Sequence, residues 1–247
     1  MKLLIDVGNT AVKWGLCEAG VIVKSGRYLH RGSDIDVLAE QYWSELSAPA
    51  GICIANVAGE PLAQQLSGWI GTRWGITPVF IATTGQACGV TNAYAVPGSL
   101  GVDRWAALIG AHHHGDGATC IVDCGTAITL DMLAADGVHQ GGLILPGIEM
   151  MKQMLLKNTT VENITTTEQA AKLFAMSTED AVNSGALYMA VAAIDRTVGD
   201  MAPAPGIAME VIITGGDASR IEMLLAMPVR HDSELVLKGL AILAGEH

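Results

Sequence analysis

Leu3-Leu4-Ile5-Asp6-Val7-Gly8-Asn9-Thr10 opens the chain, and Cys120-Ile121-Val122-Asp123-Cys124-Gly125-Thr126-Ala127 repeats its plan 117 residues later. Each stretch is an apolar strand that closes on an aspartate, with a glycine two residues on and a small polar residue after it. The surroundings repeat as well. A second strand at Ala11–Cys17, a Glu18-Ala19-Gly20 turn and a third strand at Val21–Leu29 match Ile128–Leu133, an Asp136-Gly137 turn and Val138–Leu145. The pattern predicts an α/β protein of two tandem halves, 1–114 and 115–247, each starting as a β-meander. His112-His113-His114-Gly115-Asp116-Gly117 marks the break between them.

The rest of each half alternates helices with strands. A helix is expected from Ser33, with Asp36 as capping-box partner and apolar Ile35, Leu38, Tyr42 and Leu46 at helical spacing. Ile52–Val57 reads as a buried strand, Pro61 suits the first turn of a second helix, and Pro78–Ala82 reads as a strand. Val102–Ala111 reads as a helix. In the second half, helices are expected at Ile148–Leu156 and at Thr178–Val198, the latter capped by Ser177 with Asp180. Val211–Thr214 is a late strand, and Gly215-Gly216-Asp217 opens another helix.

Half of the 247 residues are apolar and 16% are charged, enough for a substantial core. The 25 acidic residues outnumber the 14 basic ones, for a net charge of −11. Such a chain has no general attraction for nucleic acid or an anionic membrane. Any anion it binds must meet a positive field built locally from backbone N–H groups, a few Lys or Arg, and a recruited cation. Asp6 interrupts the only signal-like opening, and no apolar stretch reaches membrane-spanning length. The five cysteines, Cys17, Cys53, Cys88, Cys120 and Cys124, contain no Cys-x-x-Cys pair, so they read as reduced thiols of a cytoplasmic protein. The sequons at Asn158 and Asn163 then carry no weight.

Buried strands seldom end on carboxylates without a partner, because desolvating a charge costs several kcal/mol unless it is paired or metal-bound. In both turns the glycine lets backbone approach a ligand closely, and Thr10 or Thr126 adds a hydroxyl beside the turn N–H groups. That combination suits phosphate oxygens. Two such hairpins facing each other across a cleft would grip a polyphosphate, with the carboxylates holding its counter-cation. Other phosphate and hydrolase signatures are missing from the sequence: it has no Gly-x-x-x-x-Gly-Lys-Ser/Thr, Gly-x-Gly-x-x-Gly, Gly-x-Ser-x-Gly or His-Glu-x-x-His. Three adjacent histidines point in different directions on a regular element, so His112–His114 read as a hinge or helix end.

Pro97-Gly98-Ser99-Leu100-Gly101-Val102-Asp103-Arg104-Trp105 is the third feature. Two glycines shape a tight loop and Asp103-Arg104 fall where the next helix begins. A carboxylate there gains from the helix dipole and suits a base accepting a proton from an attacking hydroxyl. Arg104 suits bidentate anchoring of a substrate carboxylate. An Asp–Arg pair that only caps the helix would leave the same letters.

Together, Asp6-Val7-Gly8-Asn9-Thr10, the Pro97–Arg104 segment, Asp123-Cys124-Gly125-Thr126-Ala127-Ile128-Thr129 and Gly141-Gly142-Leu143-Ile144-Leu145-Pro146-Gly147 resemble type III pantothenate kinases, the family that includes the Bvg accessory factors. They stand in the family's order over nearly the whole chain. The resemblance implies two ribonuclease-H-like domains of the acetate and sugar kinase/Hsp70/actin fold. It also implies ATP-dependent phosphorylation of pantothenate to 4'-phosphopantothenate, the first step toward coenzyme A. Carried over by motif, Asp6, Val7, Gly8, Asn9, Thr10, Ala11, Val12 and Lys13 form the first phosphate turn and Thr126 touches ATP from the second. Asp123 holds a monovalent cation, K⁺ or NH₄⁺, with Mg²⁺ also required. Tyr94, Gly101, Val102, Asp103 and Arg104 line the pantothenate pocket, with Asp103 as the catalytic base. A homodimer is implied too, in which Thr178 of the long second-half helix completes the pocket. Here the chain departs from the family pattern: Ala175-Met176-Ser177 precede Thr178 where a glycine is usual, while Ala181 and Ser184-Gly185 follow as expected. Gly215-Gly216-Asp217 resembles the adenosine-side turn.

Overall fold

Lys2–Val7 (β1) is the middle strand of a five-stranded sheet, and the residues around it explain its place. Leu3, Leu4, Ile5 and Val7 are fully buried, so both faces of β1 are covered. The computed structural model describes residues 1–30, 34–160, 171–202 and 209–245. From β1 the chain returns antiparallel as Ala11–Glu18 (β2) and again as Val21–Leu29 (β3). Helix α1 (Ile35–Trp43) follows, capped by the Asp34 carboxylate, which accepts the Asp36 N–H at 3.0 Å. The expected cap at Ser33 lies outside the described residues.

Gly51–Asn56 (β4) then runs parallel to β1, and helix α2 (Glu60–Trp74) leads to the short parallel strand Val79–Phe80 (β5). The sheet order is β3-β2-β1-β4-β5. A small hairpin, Gln86–Ala87 (β6) and Val90–Thr91 (β7), precedes a 3₁₀ turn at Pro97–Ser99 and helix α3 (Val102–His112). One face of the sheet packs Leu3, Ile5, Val12, Trp14 and Ile54 against Ile35, Trp43, Leu66 and Ile70 of α1 and α2.

The plan then starts again. Ala118–Cys124 (β8) is the middle strand of a second sheet, paired antiparallel with Ala127–Leu133 (β9), beyond which lies His139–Pro146 (β10). After α4 (Ile148–Asn158) and α5 (Thr178–Met201), strand Met209–Thr214 (β11) joins β8 in parallel. Helix α6 (Ala218–Glu222) leads to Arg230–His231 (β12), and α7 (Leu235–Leu243) ends the described chain. The order β10-β9-β8-β11-β12 reproduces the first sheet strand for strand. Cys120, Val122, Ile128, Leu130, Val211 and Ile213 face Ile148, Leu187, Val191, Ile194 and Ile221 of the helices. The tandem repeat in the sequence is therefore a repeat of topology.

Two compact units result: one comprises Met1–Asp116, Asp136–His139 and the C-terminal segment from Glu234, the other Gly117–Ala135 and Gln140–Ser233. The tail that a cut after residue 114 leaves with the second half packs on the first unit as α7. It crosses α3 where neither helix has a side chain in the way. A Cβ on Gly239 would stand 1.8 Å from the Ala106 carbonyl oxygen, and one on Gly110 would stand 2.6 Å from that of Leu235.

The repeat is not uniform through the turn. Asp6 pairs with Lys13 and Val7 with Val12, whereas Asp123 pairs with Thr129 and Cys124 with Ile128. The offset is thus 117 up to the glycine and 116 in the strand that follows. The first turn closes from the Gly8 N–H to the Ala11 carbonyl and the second from the Gly125 N–H to the Ala127 carbonyl, both at 3.0 Å. The second turn is one residue tighter, and Ala127 is already in β9.

Candidate active site

Asp6 occupies the penultimate position of β1 and is buried. In strand register it stands between Lys13 of β2 and Ala55 of β4. Side chains paired in this way project from the same face of a sheet, so the Asp6 row carries its own ammonium. Beyond it, Gly8, Asn9 and Thr10 make the turn. Its carbonyls are tied down from β3 and the residue after it: His30 Nε2 lies 2.7 Å from the Gly8 oxygen, and the His30 N–H donates to the Thr10 oxygen at 3.1 Å. His30 was absent from the expected site. A single histidine at the end of a strand gives no signal in sequence.

Asp123 occupies the equivalent position in β8, between Thr129 of β9 and Thr214 of β11. Two other segments converge on its turn. The Gly147 N–H, at the start of α4, donates to the Thr126 carbonyl at 3.1 Å, and the Asp217 N–H donates to that of Cys124 at 2.9 Å. Both approaches require glycine. A Cβ on Gly147 would come within 2.4 Å of the Gly125 and Thr126 oxygens, and Gly215, at φ 100°, lies as close to the Cys124 backbone. So the Gly141–Gly147 motif and the Gly215-Gly216-Asp217 motif are read at one place, around an exposed Thr126 side chain. Burial, with the Asp123 and Asp217 carboxylates nearby, pushes the Cys124 thiol far above its ordinary range, and burial raises the Asp217 carboxyl despite Arg220 and Lys152. Cys124 is therefore a packing residue.

Tyr94, Gly101, Val102, Asp103 and Arg104 come together in the first unit. Asn92 holds the loop: its side-chain amide donates to the Thr84 and Pro97 carbonyls, and its oxygen accepts the Tyr94 N–H at 2.9 Å. Gly101 is the N-cap of α3, and Asp103 in the first turn accepts the Arg104 N–H at 2.8 Å. A Cβ on Gly101 would lie 2.6 Å from Asp103 Oδ1 and displace that carboxylate. Arg104 is buried and donates from Nη1 to the Tyr94 hydroxyl at 3.0 Å, with its guanidinium 5.7 Å from the ring centroid. Buried His139 also stacks on Tyr94, centroids 6.0 Å apart. His139 was not expected here; it lies 45 residues from Tyr94 in sequence, and no local pattern links them. Thr178, by contrast, is the first residue of α5 in the second unit, exposed, beside the Ser177 cap that accepts the Asp180 N–H at 3.1 Å.

Two sheets of one strand order, each with an Asp-x-Gly turn at the end of its middle strand, define a class of two-unit α/β folds. A Sinorhizobium meliloti protein described as a 2-dehydro-3-deoxygalactonokinase has the same fold, with TM-score 0.60, 15% identity, and 100% of this chain and 99% of that one covered. A Campylobacter jejuni protein described as a Baf-family transcriptional activator matches with TM-score 0.60 and 23% identity over 99% and 98% of the two chains. A family model for type III pantothenate kinase matches residues 2–200. Type III pantothenate kinases of Nitrosococcus oceani and Burkholderia lata are 42% and 38% identical, over 99% of this chain and 94% and 95% of theirs. The chain belongs to the type III pantothenate kinase family, and it is an enzyme.

Proposed function

We propose that this chain transfers the γ-phosphoryl group of ATP to the primary hydroxyl of pantothenate, giving 4'-phosphopantothenate and ADP at the start of coenzyme A synthesis. The observation that carries this reading is the Tyr94–Arg104–Asp103 cluster: a buried guanidinium and a carboxylate at one helix start, in a chain of this family. Arg104 and Tyr94 hold the acid end of pantothenate, Gly101 and Val102 form the wall, and Asp103 accepts the hydroxyl proton. As the new O–P bond forms, the bond from the γ-phosphorus to the bridging oxygen breaks and its electron pair leaves with ADP. A loose transition state of this kind is accelerated mainly by positioning and charge neutralisation.

Neutralisation falls to the two turns. Asp6, Val7, Gly8, Asn9, Thr10, Ala11, Val12 and Lys13 offer N–H groups, a hydroxyl and one ammonium to the phosphates, and Thr126 offers an N–H and a hydroxyl from the second turn. Asp123 holds K⁺ or NH₄⁺; its penultimate strand position between two threonines fits a hard, singly charged ion. Mg²⁺ arrives on the phosphates of ATP, the usual mode for an ion that keeps much of its water. Among the described residues, no three His, Cys, Asp or Glu side chains converge into a cage for it. Thr178 completes the pantothenate pocket of a second copy in a homodimer. No described helix is long and apolar enough to cross a membrane.

Asp103→Asn tests the assignment of the base. The expected outcome is a kcat lowered by about 10² to 10⁴ with ATP and pantothenate binding within about threefold of wild type by calorimetry. A kcat near wild type would remove Asp103 from that role.

A further inference from the structure

Thr214 is fully buried, and its Oγ1 has no hydrogen-bond partner among the described residues. Buried hydroxyls in native proteins are nearly always satisfied, and one left alone forfeits its hydration. The position is not loose. Thr214 ends β11 in register with Asp123, and the next residue, Gly215, presses against the Cys124 backbone. This pins the end of β11 to the end of β8.

The two units differ in the row that holds this hydroxyl. Across the middle of the first sheet the row reads Lys13, Asp6, Ala55; across the second it reads Thr129, Asp123, Thr214. Neighbouring strands lie about 4.8 Å apart, and paired side chains share a face. The first carboxylate thus has an ammonium in its own row. In the second row, the lysine position is a threonine and the alanine position is another. A built-in cation has been exchanged for oxygen atoms flanking a carboxylate, which is the donor set of a hard cation. One negative charge flanked by neutral hydroxyls matches a single positive charge better than a double one.

We infer that the Thr214 hydroxyl oxygen is a direct ligand of the monovalent cation held by Asp123. This rests on the assignment of a cation to Asp123 made above. In chemical class the ligand is K⁺ or an ion of similar size such as NH₄⁺, bound through a lone pair of Oγ1.

The test uses full-length protein and melting temperature, measured as KCl or NH₄Cl replaces choline chloride at constant ionic strength. Wild type should melt higher as potassium is added. In Thr214→Val, which keeps the shape and loses the oxygen, the potassium midpoint should rise by about tenfold or more. Thr214→Ser should stay within about threefold of wild type, and Asp123→Asn should lose the response. In choline alone Thr214→Val should melt no lower than wild type, because an unsatisfied hydroxyl has been removed. The inference is overturned if Thr214→Val keeps the wild-type midpoint, or if it melts lower in choline with its potassium response intact. A wild type indifferent to both cations would overturn the Asp123 assignment as well; a responsive wild type with an equally responsive Thr214→Val overturns the role of Thr214 alone.

Discussion

Arg104 carries more of the candidate site than its single letter suggested. As a sequence feature, an Asp-Arg pair at a helix start is equally a cap or a substrate anchor. The structure separates the two residues' surroundings: Asp103 folds over Gly101, while Arg104 turns inward onto Tyr94, on which His139 also stacks. Tyr94 was legible only through the family motif, and His139 not at all, since the contact joins segments distant in sequence. Tyr94→Phe keeps the stacking and removes one hydrogen bond to a charged group, worth about 1.5 kcal/mol or more. The KM for pantothenate should rise by about tenfold, with a smaller change in kcat and none in the KM for ATP. Steady-state kinetics with each substrate varied would show it, and an unchanged pantothenate KM would take Tyr94 out of the pocket.

At the scale of elements, strands and amphipathic helices were readable where periodicity was clean. β2, β3 and α4 begin at the expected residues, because turn glycines mark their starts. The misses have physical causes. α7, Leu235-Val236-Leu237-Lys238-Gly239-Leu240-Ala241-Ile242-Leu243, is apolar nearly all round and shows no stripe, as befits a helix buried among α3 and the first sheet. The β6–β7 hairpin is too short to show alternation, and β5 is two residues where five were expected. The shortened second turn was hidden because the letters match through Ala127, and only strand pairing reveals the lost residue. Two glycine substitutions test the helix packing by urea denaturation. Gly239→Ala drives a Cβ into the Ala106 carbonyl and should cost about 1–3 kcal/mol or more. Gly68→Ala, in the interior of α2 with open space around it, should gain about 0.5–1 kcal/mol. Equal effects from the two would contradict the close α3–α7 crossing.

At the scale of the molecule, a net charge of −11 makes an anion-binding protein depend on local devices: two glycine turns, one lysine in the first row, and the ion proposed for the second. The repeat that announced the fold is also what makes the difference between the rows visible, since a threonine in a lysine's place means little without its counterpart. Two units of the same strand order, with the C-terminal helix returned to the first, give a kinase whose halves share a plan. The most direct test is the rate of 4'-phosphopantothenate formation by the purified chain from ATP, Mg²⁺ and pantothenate, with KCl or choline chloride. Stoichiometric product that appears with ADP, and appears faster in potassium, is the predicted result. Folded protein that binds ATP yet yields no phosphopantothenate in either salt, or that phosphorylates a sugar instead, would contradict it.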